Sequence, residues 1–105
     1  MASIFTKIIN REIPADIVFE QDNIIVIKDL NPRAKTHLLV IPKKEILTLD
    51  HIKDEDSELL SQMLNVILKV TRDLWINEGY KLLLNVWKKW WQEVMHIHMH
   101  ILSDI

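Results

Sequence analysis

The sequence predicts an α+β fold: an antiparallel five-stranded sheet packed against one long helix, with one short helix ahead of it. Three observations point there. Short β-rich runs broken by turn residues fill positions 17–42, a stretch after residue 54 has helical period, and a final run alternates in character. Strands on either side of a single long amphipathic helix bury that helix against one sheet.

Taken in order, Ser3 is placed to cap a short helix over 4–9, and Pro14 then turns the chain to extended geometry. Ile17-Val18-Phe19-Glu20 and Ile24-Ile25-Val26-Ile27-Lys28 flank the turn signal Gln21-Asp22-Asn23 and so form a hairpin, which Asn31-Pro32 ends. The run over 35–42 is almost continuously apolar, as a central strand would be. From Asp54, a cap candidate, Leu59, Leu60, Met63, Leu64, Ile67, Leu68, Thr71 and Leu74 trace a helical stripe expected to pack on the sheet. Asn77-Glu78-Gly79 stops that helix, 80–86 forms a fourth strand, and a fifth follows a loop over 87–92.

At 105 residues the chain has the length of one domain, spanning 1–105, and 49% hydrophobic with 27% charged residues is ordinary for a soluble globular protein. A 12.5 kDa domain buries a modest share of its surface, which favours self-association. Net charge −2, with no basic cluster larger than Pro42-Lys43-Lys44, argues against nucleic acid as a partner; any phosphate must be held locally. Without cysteine there is no thiol chemistry, and no apolar run suits a signal peptide or a membrane span, so a cytoplasmic location is expected.

The run Val94-Met95-His96-Ile97-His98-Met99-His100-Ile101-Leu102 carries the chemistry. On an extended strand His96, His98 and His100 share one face, with neighbours roughly 7 Å apart, while Met95, Ile97, Met99 and Ile101 point to the core. Neutral imidazoles so placed can act as nucleophile, acid-base group or metal ligand. A plain polar strand face and a metal site are the competing readings, though the run contains neither Cys nor carboxylate.

The run resembles the signature of the histidine-triad (HIT) family of nucleotide hydrolases and transferases, and the resemblance covers the whole chain. Ile4-Phe5 with Lys7-Ile8-Ile9, Glu12-Ile13-Pro14-Ala15, Asp29-Leu30-Asn31-Pro32, Thr36-His37, Leu39-Val40-Ile41-Pro42-Lys43-Lys44 and Gln92-Glu93-Val94 match the Hint-like branch in the right order. The resemblance implies a HIT-like fold, a homodimer through the long helix and fourth strand, and hydrolysis of purine nucleoside 5′-phosphoramidates through a nucleotidyl-histidine, with no cofactor or metal. It implies that His98 attacks phosphorus, His100 holds a phosphate oxygen, and the His96 carbonyl fixes the His98 tautomer, with His37 contacting the triad from the central strand. Asp29 matches the acid that binds the ribose hydroxyls. Asn85, Gln92 and Glu93 flank the phosphate, with Glu93 where many members carry Ser or Thr. Ile4, Phe5, Ile8, Ile13, Ile27 and Leu30 match the walls around the purine, although core packing explains them equally well. His51 is expected to be an ordinary surface histidine.

One segment departs from the family. Where members have Asn followed by a glycine-rich loop ending Gly-Gly-Gln, this chain reads Asn85-Val86-Trp87-Lys88-Lys89-Trp90-Trp91-Gln92, and Trp75 also occupies a glycine position. Glycine belongs there because amides must approach phosphate closely and some residues need positive φ. Every tryptophan thus stands where the family prefers glycine. This pattern is expected if the source reads UGA as glycine and its gene was translated with UGA read as tryptophan. If the tryptophans are genuine, a catalytically impaired purine-nucleotide-binding module becomes the alternative.

Overall fold

A computed structural model describes residues 2–105. Helix α1 (Ile4–Ile9) begins where Ser3, in extended geometry, accepts the Thr6 amide on its hydroxyl. It closes at Arg11, whose φ of 63° lets the Glu12 amide reach the Lys7 carbonyl and the Arg11 amide the Ile8 carbonyl, the left-handed closure of a helix end.

Strands β1 (Ile17–Glu20), β2 (Ile24–Lys28), β3 (Thr36–Pro42), β4 (Lys81–Leu83) and β5 (Met99–Ser103) form one sheet in the order β1-β2-β3-β5-β4, every neighbour antiparallel. The central strand is the apolar β3, as its composition requires. Its alternate residues serve two cores. Val26, Leu38, Val40 and Ile101 pack on Met63, Val66, Ile67 and Val70 of α2 (Ser57–Asp73), while Ile25, Ile27, Leu39 and Ile41 face Phe5 and Ile8 of α1. The long helix fills one side of the sheet. The short helix covers only part of the other, and the remainder is open for a site. Among the described residues no helix is long and apolar enough to cross a membrane.

Five expectations are corrected. The buried stripe of α2 runs through Met63, Val66, Ile67, Val70 and Thr71, whereas Leu64, Leu68 and Leu74 are 49%, 42% and 42% exposed. The conspicuous leucines lie one helical step off the face that the smaller valines complete. Asp54 opens a 3₁₀ turn instead of capping α2; Asp56 stands at the cap position and uses its carboxylate to accept the Lys53 amide. The third strand starts at Thr36. The fourth keeps only residues 81–83, and the fifth starts at Met99, so His96 and His98 precede the ladder. The ladder stops there because the His96 carbonyl accepts from His98 Nδ1 at 2.7 Å and the Ile97 amide donates to the Ile46 carbonyl at 2.7 Å, which leaves neither group for a neighbouring strand.

Candidate functional site

On the α1 side lies a cavity of about 180 Å³. Ile4, Phe5, Ile8, Ile13, Ile27 and Leu30 all line it, as do Asp29, Glu93, His98 and His100. Its wall also includes Trp91 of the departing loop, and Arg33, Leu39 and Val94, to which sequence reasoning gave no place in the site. Arg33 was legible only as a cation four positions ahead of His37. Leu39 pairs with His100 across β3 and β5, and this register turns His100 toward α1.

The hydrogen bonds determine which ring nitrogens carry protons. A carbonyl can only accept, so His98 Nδ1 donates to the His96 carbonyl and Nε2 keeps its lone pair. His96 Nε2 likewise donates to the Pro42 carbonyl at 2.7 Å, leaving Nδ1 to accept from the Ser3 hydroxyl at 2.6 Å. An amide can only donate, so the Arg33 amide, 3.2 Å from His37 Nδ1, places the His37 proton on Nε2. That proton reaches His100 Nδ1 at 2.8 Å, and His100 carries its own proton on Nε2. The cavity therefore meets a bare nitrogen on His98 and a donor on His100. His37 and His96 stand behind them, buried and outside the lining.

Burial disfavours the charged form of all four rings and lowers their pKa values. For His100, burial and then the neighbouring His98 and His37 push it down to about 4. Near neutral pH the imidazoles are uncharged, as a nucleophile requires.

Asp29 Oδ1 accepts the Asn31 amide at 2.8 Å, while Oδ2 lies 3.4 Å from His37 Nε2. Ligand atoms of Asp29, His37 and His100 fall within 4.8 Å of one another, close enough to share a cation. The Arg33 amide opposes that use, because the His37 nitrogen facing the cluster is the protonated one.

Two expected phosphate contacts are turned elsewhere. Gln92 is 2% exposed; its Nε2 donates to the Leu47 and Val94 carbonyls and its Oε1 accepts the Trp87 amide at 2.8 Å. Asn85 donates from Nδ2 to the Trp91 carbonyl at 2.9 Å. Neither lines the cavity; both brace the loop from behind, because its backbone leaves groups that only side chains can satisfy. His51 is exposed as expected, yet its ring lies 5.3 Å from the Trp87 indole.

The loop itself is strained. Trp87 has φ 71° and ψ 155°, a region essentially restricted to glycine, and Trp91 is left-handed at φ 72° and ψ 18°. Trp75 (φ 61°) closes α2: the Ile76 amide bonds the Thr71 carbonyl and the Trp75 amide the Arg72 carbonyl, the helix ending in which glycine normally takes this place.

Comparison with known proteins agrees. The family model described as "Scavenger mRNA decapping enzyme C-term binding" matches residues 2–105. The chain is 43% identical over 102 residues to the purine nucleoside phosphoramidase of Escherichia coli (strain K12), covering 96% of this chain and 86% of that protein. It is 47% identical to an uncharacterised HIT-like protein of Helicobacter pylori, covering 96% and 95%. The crystal structure of a HIT family hydrolase from Legionella pneumophila Philadelphia 1 superposes with a TM-score of 0.95 at 45% identity, covering 99% of this chain and 94% of that one. With the triad, the sheet order and these likenesses in accord, the chain belongs to the histidine-triad family and is a nucleotide hydrolase of that family by descent.

Proposed function

We propose that this protein hydrolyses purine nucleoside 5′-phosphoramidates through a nucleotidyl-histidine, with base and ribose held between α1 and Asp29. The observation that supports this most is the fixed tautomer of His98, which presents a bare Nε2 to a cavity shared with Asp29 and the donor His100. In the first step His98 Nε2 forms a bond to the α-phosphorus as the phosphorus–nitrogen bond of the substrate breaks. The departing amine takes a proton drawn from solvent water through the Glu93 carboxyl, which lines the cavity, and the attacking water returns one by the same route. Water then cleaves the His98–phosphorus bond and releases nucleoside monophosphate. His100 donates to a non-bridging oxygen in both steps. The relative from Escherichia coli, named for this activity, supports the choice of leaving group. The test is release of AMP from adenosine 5′-phosphoramidate in the presence of chelator; turnover that requires added metal would sink the reading.

We infer that the natural protein has glycine at positions 75, 87, 90 and 91. The sequence has four tryptophans and one glycine, whereas average usage would give about seven glycines in a chain this long. Three of the four tryptophans have positive φ, and all are exposed, from 44% to 84%. Arg11 is the one other such non-glycine among the described residues, at a helix end that tolerates it. Natural codons decide this: UGA at the four positions supports recoding, and UGG refutes it. Genuine tryptophans would favour the second reading, a nucleotide-binding module with weakened phosphate contacts.

Self-association through α2 and β4 completes the proposal. Leu64 and Leu68 are exposed on α2, and Leu82 lies 38% exposed on β4, whose outer edge has no partner strand among the described residues. Light scattering should give twice 12.5 kDa; a monomer at micromolar concentration would refute the dimer.

A further inference from the structure

The capping hydroxyl of Ser3 makes a second contact. Its oxygen accepts the Thr6 amide at 3.0 Å and lies 2.6 Å from His96 Nδ1. The His96 side chain has no solvent exposure, and its Nε2 proton is committed to the Pro42 carbonyl. Nδ1 is therefore a lone pair without water, and such an acceptor needs a donor. Glu45 Oε1, 4.0 Å away, has no proton to give as a carboxylate. It acts on the donor instead, accepting the Ser3 amide and the Thr6 hydroxyl at 2.7 Å each. These bonds, the Ser3 amide first, hold the Glu45 carboxyl below its usual range. Between Ser3 and Thr6, Phe5 stands edge-on to His98 at 5.0 Å, and Ile4 lines the cavity.

The geometry points to Ser3 as a positioning residue for the nucleophile, held in place by Glu45. Its hydroxyl proton fixes the His96 ring, and the anchored His96 offers the carbonyl that sets the His98 tautomer. The catalytic consequence rests on the hydrolase reading above. The first link, from Ser3 to the His96 ring, is a property of the unliganded fold and can be measured without substrate.

Capping and positioning separate by substitution. Thr at position 3 keeps both the cap and the donor, whereas Asp keeps the cap but has no proton for Nδ1 and draws one onto the ring instead. Nitrogen-15 NMR of histidine-labelled protein reads the His96 ring directly. The wild type and Ser3→Thr are expected to show a bare Nδ1 and a protonated Nε2, and Ser3→Asp a protonated Nδ1. Glu45→Gln, which retains an acceptor, should keep the wild-type signature, and Glu45→Ala should broaden or lose it.

Turnover of adenosine 5′-phosphoramidate should fall about ten- to a hundred-fold in kcat for Ser3→Asp, with KM little changed, and Ser3→Thr should restore it. Methyl spectra like the wild type establish that each variant is folded. A bare Nδ1 in folded Ser3→Asp overturns the inference, as does unaltered kcat in that variant. An altered ring in a protein that never hydrolyses the substrate sustains the Ser3 link and defeats the hydrolase reading.

Discussion

The triad and the loop over 86–92 border one cavity and differ in what their backbone demands. Side-chain hydrogen bonds hold the triad: each histidine has one nitrogen anchored to a backbone carbonyl or amide or to another ring, and among the described residues no buried side-chain nitrogen or oxygen lacks a partner. The loop is also braced by Asn85 and Gln92, but its path runs through positive-φ backbone at Trp87 and Trp91, a conformation that favours glycine. Three indoles in the loop therefore leave the nucleophile's tautomer intact while burdening the part of the site proposed to approach phosphate. Reactivity and binding are separable in this molecule.

The largest effect should come from the triad. In protein carrying Trp75→Gly, Trp87→Gly, Trp90→Gly and Trp91→Gly, adding His98→Ala should lower kcat by at least about 10³-fold, because no other bare nitrogen faces the cavity. Affinity for AMP should change little. Residual turnover within ten-fold would show that the nucleophile lies elsewhere.

The loop supplies the next effect. The chain as written should bind AMP more than about 100-fold more weakly than the fourfold glycine variant, since losing two charge-assisted hydrogen bonds at roughly 1.5–3 kcal/mol each exceeds that factor. Calorimetric titration of both decides it. Equal affinities would place the loop outside the phosphate site and remove the contrast drawn above.

What could be read in advance divides along the same line. The hairpin, the central apolar strand and the one long helix follow from periodicity and short-range pattern, whereas the apolar wall follows only from the family resemblance; Ile4, Phe5, Ile8 and Ile13 line the cavity. Gln92 and Asn85 are bonded to the loop and its neighbours instead of facing the cavity, because sequence places a side chain near a loop without saying which way it turns. Ser3 and His96 are 93 positions apart, so only the fold brings them together. The leucines of α2 misled because size is a weaker guide to burial than phase around the helix: Val66 and Val70 are in phase with the core and Leu64 and Leu68 are not.

Acid should challenge the triad before the loop. His37, His96, His98 and His100 all have depressed pKa values in the folded state, so between 6.5 and the folded values the unfolded chain binds more protons. Stability is thus greatest above pH 6.5 and falls as pH drops toward 4. For His100 alone, shifted to about 4, the loss approaches roughly 2–3 kcal/mol. Urea unfolding at pH 7 and pH 4.5 measures it; equal midpoints would mean that the rings are solvated and the hydrogen-bonded frame is loose.

The smallest expected effect isolates backbone strain from ligand binding. Trp75 has the same left-handed preference problem as Trp91 but closes α2, and it is absent from the cavity wall. Its indole is 84% exposed, so removing it sacrifices little burial. Trp75→Gly relieves roughly 1–2 kcal/mol of left-handed strain and returns roughly 0.5–1 kcal/mol through the greater freedom of glycine in the unfolded chain. The net gain, about 0.5–1 kcal/mol, should raise Tm by several degrees for a domain of this size. AMP affinity should stay within error, whereas Trp91→Gly alone should improve it. Differential scanning calorimetry and titration on the two single variants make the comparison. A destabilised Trp75→Gly would mean that the indole makes a productive contact at the helix end and that glycine is not the residue this backbone requires.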